Sequence, residues 1–226
     1  MCRQTTRCFT DSPADLDRAA ELLRAGELVA IPTETVYGLA ADAENGPAVA
    51  RIFEAKGRPM DNPLIVHIAD WDTLPRLAAE IPDTAVKLAR AYWPGPLTMI
   101  FPKGPRIPDE VSAGLPTVAV RMPSHPVARA VIRESGLSLA APSANRSGSP
   151  SPNTADHVLA DLDGRIAAVV DGGECSVGVE STVVLLTDGR VRLLRPGGVT
   201  LGMLERVVGP VEVDPAVTHR LAEGAR

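Results

Sequence analysis

The stretch Leu28-Val29-Ala30-Ile31-Pro32-Thr33-Glu34-Thr35-Val36-Tyr37-Gly38-Leu39-Ala40-Ala41 decides the fold. Leu28 to Ile31 is a short apolar run, Thr33-Glu34-Thr35 is a polar turn, and Val36 to Ala41 is a second apolar stretch. Runs this short, bounded by turn residues, have the length of buried strands rather than of amphipathic helices. On the N-terminal side, Ser12-Pro13 supplies an N-cap and a first-turn proline. Leu16, Ala19, Ala20 and Leu23 then recur at helical spacing up to Gly26. On the C-terminal side, Asn45 to Lys56 reads as a helix with Val49, Ile52 and Phe53 turned inward, closed by Gly57.

The alternation runs on. Strands are expected at Leu64 to Ile68, Leu97 to Phe101, Val118 to Arg121, Leu137 to Ala141 and Ile166 to Val170. Helices are expected around Thr84 to Ala91, Pro126 to Glu134 and Thr154 to Leu162. Such interleaving implies an α/β sheet covered by helices on both faces. Thr182 to Leu186 and Val191 to Leu194, joined by Asp188-Gly189, read as a hairpin that makes the sheet mixed. After Arg195-Pro196-Gly197-Gly198 comes a short helix, Leu201 to Val207, and then a polar tail expected to be flexible. One domain over residues 1–209 suffices, with 210–226 as its tail. The proline-rich stretches Pro102 to Pro108 and Pro142 to Pro152 read as ordered loops.

Composition narrows the function classes. The chain has 226 residues, 45% of them hydrophobic and 23% charged, and folds without a disulfide or metal staple at that length. Three cysteines, Cys2, Cys8 and Cys175, form no CxxC pair, which points to a reducing, cytoplasmic setting and against structural zinc. No leader-like apolar run opens the chain and no membrane-length apolar run occurs, so export and membrane spanning are not expected. A net charge of −5 weighs against broad nucleic-acid binding, which needs a basic footprint. Seven aromatic residues in all (three Phe, two Tyr, two Trp) are too few for base-stacking platforms.

Polar clusters fall just past expected strand ends, at Thr33 to Thr35, Ser143 to Asn145 and Asp171 to Gly173, where α/β sheets place ligands. Lys56 and Arg58 flank a glycine at a helix end. They form either a fork for anionic oxygens or a complement to the helix dipole. Arg195 precedes Pro-Gly-Gly, which suits either close approach to a ligand or a plain hairpin exit. His67 lies inside an apolar strand, as a core histidine or a site residue. Arg121 closes another strand and needs an anionic partner, from the protein or from a substrate. No Walker loop, dinucleotide fingerprint, His-Glu-x-x-His or nucleophile elbow is present.

Ordered along the chain are Pro32-Thr33-Glu34-Thr35-Val36-Tyr37-Gly38-Leu39, Lys56-Gly57-Arg58-Pro59, Asn62-Pro63-Leu64 with His67, Trp93-Pro94-Gly95-Pro96-Leu97-Thr98, Pro142-Ser143-Ala144-Asn145 and Gly178-Val179-Glu180-Ser181-Thr182. In these strings, from about Leu28 to Gly198, the sequence resembles the YrdC-like family of threonylcarbamoyl-adenylate synthases. The resemblance implies a twisted, mixed parallel and antiparallel sheet with helices on both faces and a concave ligand cleft. It implies synthesis of threonylcarbamoyl-AMP and pyrophosphate from L-threonine, bicarbonate and ATP with Mg2+, for N6-threonylcarbamoyladenosine modification of tRNA. A TsaD-type transferase and a tRNA contact are the implied partners. The family signature, a Lys-x-Arg and a later Ser-x-Asn, falls on Lys56, Arg58, Ser143 and Asn145, which with Arg195 are implied to bind ATP.

Lys56, Arg58 and Thr35 are the implied catalytic residues. Thr33, Tyr37, His67, Arg121 and Ser181 are assigned to threonine, Glu34 to an indirect contact with magnesium, and no protein metal site is implied. Leu185 stands where relatives commonly carry an Asp. Some relatives continue into a second domain after a linker, and the tail from Pro210 to Arg226 lies near where that linker would run; it either covers part of the cleft or is free. Two other readings remain: an RNA-binding module of the same fold, and carbamoylation of another substrate.

Overall fold

The computed structural model describes residues 5–187 and 189–218. Among the described residues, eleven strands form one sheet: β1 Arg7–Phe9, β2 Val29–Ile31, β3 Gly38–Asp42, β4 Ile65–His67, β5 Leu97–Pro102, β6 Thr117–Arg121, β7 Leu139–Ala140, β8 Ala168–Val170, β9 Thr182–Thr187, β10 Arg190–Arg195 and β11 Glu212–Val213. The main helices are α1 Pro13–Arg24, α2 Gly46–Lys56, α3 Leu74–Leu77, α4 Asp83–Tyr92, α5 Asp109–Ser112, α6 Pro126–Ser135, α7 Ala155–Leu162 and α8 Leu201–Val208. The strand order is β1-β8-β2-β3-β7-β4-β6-β5-β9-β10-β11, with parallel and antiparallel pairs mixed. This is the mixed α/β sheet that the alternation implied.

Local chemistry accounts for the helix ends. Ser12 Oγ accepts from Asp15 N and Pro13 opens α1, while Asn45 Oδ1 accepts from Ala48 N at the start of α2. Caps of this kind contribute about 1 kcal/mol each. Gly57, at φ 61°, ends α2 in the left-handed conformation and turns the chain so that Lys56 and Arg58 leave it in different directions.

Period-2 alternation sorts the strands between two cores. Val29, Ile31, Ala40, Leu139 and Val170 pack under α1 and α6, through Leu16, Ala19, Leu23, Val127, Val131 and Ile132. Ala30, Leu39, Val66, Val120 and Val184 face the other way, toward α2, α4, α7 and α8. The α1–α6 layer covers only part of its sheet face. Farther along, His67 pairs in register with Arg121 and Arg121 with Thr98, so these three polar residues share one row of that face.

Two edge strands were not expected. In β1 only Phe9 is buried, and β11 has just two residues, so neither carries a periodic signal; pairing with β8 and β10 alone makes them strands. In the segment after Pro210, Glu212–Val213 thus joins the sheet and Val217 is buried. Residues 219–226 of the expected tail, and Asp188 of the hairpin, lie outside the described residues. The proline-rich loop 142–152 is tied down at both ends. Tyr37 N donates to Pro152 O at 2.9 Å, and Ala144 N to Tyr37 O at 2.8 Å.

Candidate active site

Past the paired ends of β2 and β3, the connecting residues 32–37 hang over the sheet, and Thr33 shapes them. Its hydroxyl donates to Val36 O at 2.6 Å, which spends its only hydrogen. The 2.9 Å contact with Thr35 Oγ1 therefore has Thr35 as donor, and Thr35 Oγ1 in turn accepts from Arg121 Nη1 at 2.8 Å. A relay thus runs from the Arg121 guanidinium through both hydroxyls to a backbone carbonyl.

Arg121, buried, also donates through Nε to Gly95 O at 3.3 Å. Its charge is met by Glu34, Nη2 to Oε1 2.7 Å, and Glu34 Oε2 accepts from Ser124 N at 3.1 Å. The expected anionic partner is therefore at least in part a protein carboxylate. Within this ion pair neither Nη2 nor Oε1 has an aligned hydrogen-bond partner. Charge is neutralised within the pair, and both of these atoms are closed off from solvent.

Beside Arg121, His67 Nδ1 lies 3.3 Å from Ile65 O. A carbonyl only accepts, so the proton of this bond is on Nδ1 and Nε2 keeps its lone pair. Burial, and then the charge of Arg121, push the imidazole down to about 3, so it is neutral at any physiological pH. Ser181 Oγ is 2.7 Å from Thr98 Oγ1 and accepts from Arg195 Nη2 at 3.0 Å. Arg195 also donates to Ser181 O at 2.9 Å and pairs with Glu180 Oε2 at 2.5 Å.

Eight of the eleven expected site residues line one cleft of about 280 Å³: Thr33, Thr35, Arg58, His67, Arg121, Ser143, Ser181 and Arg195. Lys56, Asn145 and Tyr37 do not line it. Lys56, although buried, turns its ammonium to the carbonyls of Ser143 and Asn145, so it fastens the Ser-x-Asn loop instead of completing a helix dipole. Burial, and then the charge of Arg58, lower it to about 8. Asn145 Nδ2 donates to Arg146 O and Ser149 O, closing the same loop.

Tyr37 points elsewhere. Its hydroxyl donates to Gly173 O at 2.8 Å and accepts from Gly172 N at 3.2 Å, so it pins the Asp171–Gly173 loop. That loop, expected near a ligand because it follows a strand end, is held by the phenol and lines no part of the cleft. Burial pushes the phenol above its usual range. The glycines after Arg195 also serve the fold. A side chain on Gly197 would sit 2.4 Å from Glu180 O and from Thr182 N, so its close approach is to backbone and not to a ligand.

Residue-by-residue reading passed over Glu180, the carboxylate on the cleft wall next to the cations; its place directly before Ser181 in a loop was the available signal. Among the described residues, no group of three His, Cys, Asp or Glu could hold a metal ion.

The family model Sua5, YciO and YrdC, described as telomere recombination, matches residues 21–197. The chain belongs to the Sua5/YciO/YrdC family. A threonylcarbamoyl-AMP synthase of Bacillus subtilis is 54% identical over 225 residues, 96% of this chain and 65% of that protein. One of Pyrococcus abyssi is 53% identical over 208 residues, 92% of this chain and 61% of that protein. The structure of Pyrococcus abyssi Sua5 complexed with L-threonine superposes with a TM-score of 0.91 at 51% identity, covering 94% of this chain and 63% of that one. The chain thus spans less than two thirds of the length of these Sua5/YrdC-family relatives. In family terms, Arg58 and Ser143 of the signature reach the cleft, whereas Lys56 and Asn145 build its wall from behind.

Proposed function

We propose that this chain makes threonylcarbamoyl-AMP and pyrophosphate from L-threonine, bicarbonate and ATP, for N6-threonylcarbamoyladenosine in tRNA. The observation that carries this reading is one cleft that joins Arg58 and Arg195 to a buried, charge-balanced Arg121 and a neutral His67. In the proposed reaction the threonine amine and bicarbonate give a carbamate with loss of water. A carbamate oxygen then attacks the α-phosphorus, the α–β anhydride bond breaks, and pyrophosphate leaves.

An anion attacking a polyanion needs preorganised cations. Arg58 and Arg195 supply them at the cleft surface, and Lys56 acts through the Ser143–Asn145 loop that it holds. Arg121, which lines the cleft, is the cation suited to the threonine carboxylate. His67 Nε2 accepts a hydrogen bond from the amine or hydroxyl, and Ser181 offers its hydroxyl. Thr35, tied to Arg121, is the assigned contact to the carbonate-derived group. Thr33 has its hydroxyl committed to the turn and contributes shape. Tyr37, also assigned to threonine, would act only through the loop that it pins.

Magnesium would enter with ATP. Glu34 is engaged by Arg121 and Ser124, and Glu180 by Arg195, so a cation ligated mainly by phosphate oxygens and water fits the residues present. Bound there, it would offset phosphate charge. Under the same reading residues 1–209 are the synthase domain and 210–226 its tail. The product passes to a TsaD-type transferase, and the setting is the cytoplasm, in keeping with the free thiols of Cys8 and Cys175. The test is mass spectrometry of a reaction with ¹³C-bicarbonate. A labelled adenylate containing threonine is expected, and its absence under conditions where ATP is consumed would refute the assignment.

A further inference from the structure

Two carboxylates meet cations at the cleft, and their surroundings differ. Glu34 and Arg121 have side chains only 8% and 4% exposed, and Ser124 N holds Glu34 in place. Separating that pair would strand a buried charge. Glu180 and Arg195 are 44% and 33% exposed at a separation of 2.5 Å, and Arg195 is also held by Ser181, so Glu180 is the side chain that can turn toward water, at a smaller desolvation cost than Glu34. The backbone of Glu180 is fixed by Gly197 packed against its carbonyl, which confines any movement to the side chain. Across from it, Ser151 Oγ lies 3.4 Å from Glu180 Oε1. Burial lowers the proton affinity of Lys56, Arg58 and Arg195, and the charge of Glu180 opposes that on all three. It is thus the carboxylate placed where an anionic ligand of this cation cluster would be.

We propose that Glu180 is a counter-ion built into the cleft, which pairs with Arg195 while no anion is bound, yields it to an entering polyphosphate, and pairs with it again as pyrophosphate leaves. This deepens the synthase reading and rests on it for the identity of the leaving anion. Glu180 therefore weakens the hold on polyphosphate and speeds its release. A ligand that does not use Arg195 is unaffected.

The test is calorimetric titration of the chain and its Glu180→Gln variant with inorganic pyrophosphate in magnesium-free buffer containing EDTA, with adenosine titrated in parallel. A half-buried, solvent-reachable ion pair is worth on the order of 1 kcal/mol, so the variant is expected to bind pyrophosphate about fivefold tighter, with adenosine unchanged. Glu180→Ala should move the same way. Equal or weaker pyrophosphate binding by the variants, or no measurable binding to any of the chains, would overturn the proposal. A loss seen only when magnesium is added back, with no gain in EDTA, would overturn it too and make Glu180 a cation ligand. No threonine, bicarbonate or turnover enters the titration. A chain that made no adenylate would leave its result standing, and a flat titration would leave the synthase assignment standing.

Discussion

His67 illustrates how burial decides what a side chain can do. Its position in an apolar strand left a core role and a site role open, and in the structure the ring is buried while still lining the cleft. With its folded value near 3 against an ordinary 6.5, the folded chain refuses a proton that the unfolded chain accepts. The resulting stability is fully present above pH 6.5 and is lost as pH falls toward 3. Within that window His67 contributes a slope of up to roughly 1.4 kcal/mol per pH unit. Urea unfolding of the wild type and of His67→Gln from pH 7 to pH 4 should show the wild type losing stability more steeply. Parallel slopes would mean that His67 titrates normally. Arg121 is a parallel case, since its need for an anionic partner was evident but the identity of Glu34 was not; that pairing depends on how the 32–37 turn folds over β6.

Longer segments were more legible than single contacts. The strands and helices at the centre of the sheet announce themselves because each buries a periodic apolar set on one of two cores. Edge strands β1 and β11 bury too little to leave such a mark. Loop geometry depends on contacts between distant residues, which is why Tyr37 was assigned to threonine although its phenol holds residues 171–173. Gly197 is the clearest example. The Pro-Gly-Gly exit from β10 was open to two explanations, and the decisive fact is the backbone of residues 180–182, which a side chain there would strike. Neither contact is a flexible side-chain end, so Gly197→Ala should cost about 1–3 kcal/mol in thermal unfolding and weaken ATP binding by shifting Ser181 and Glu180. An unchanged melting temperature and affinity would show that the segment yields freely.

Across the protein, the alternation of strands and helices implied the sheet and the ordered strings implied the family; of the eleven residues nominated for the site, eight line one cleft in the structure. What remained hidden was the division of labour within the signature. Lys56 and Asn145 stand beside Arg58 and Ser143 in sequence, but they face backbone carbonyls instead of the cleft. The acidic balance, net −5, gives no support to a general RNA-binding role. The most direct test of the synthase assignment is pyrophosphate release from ATP by the purified chain, with threonine and bicarbonate each present or omitted and Arg58→Ala as control. Release that requires both co-substrates and falls on the order of 10² to 10³ in the control is the expected result. Release that is indifferent to the omission of threonine would contradict it.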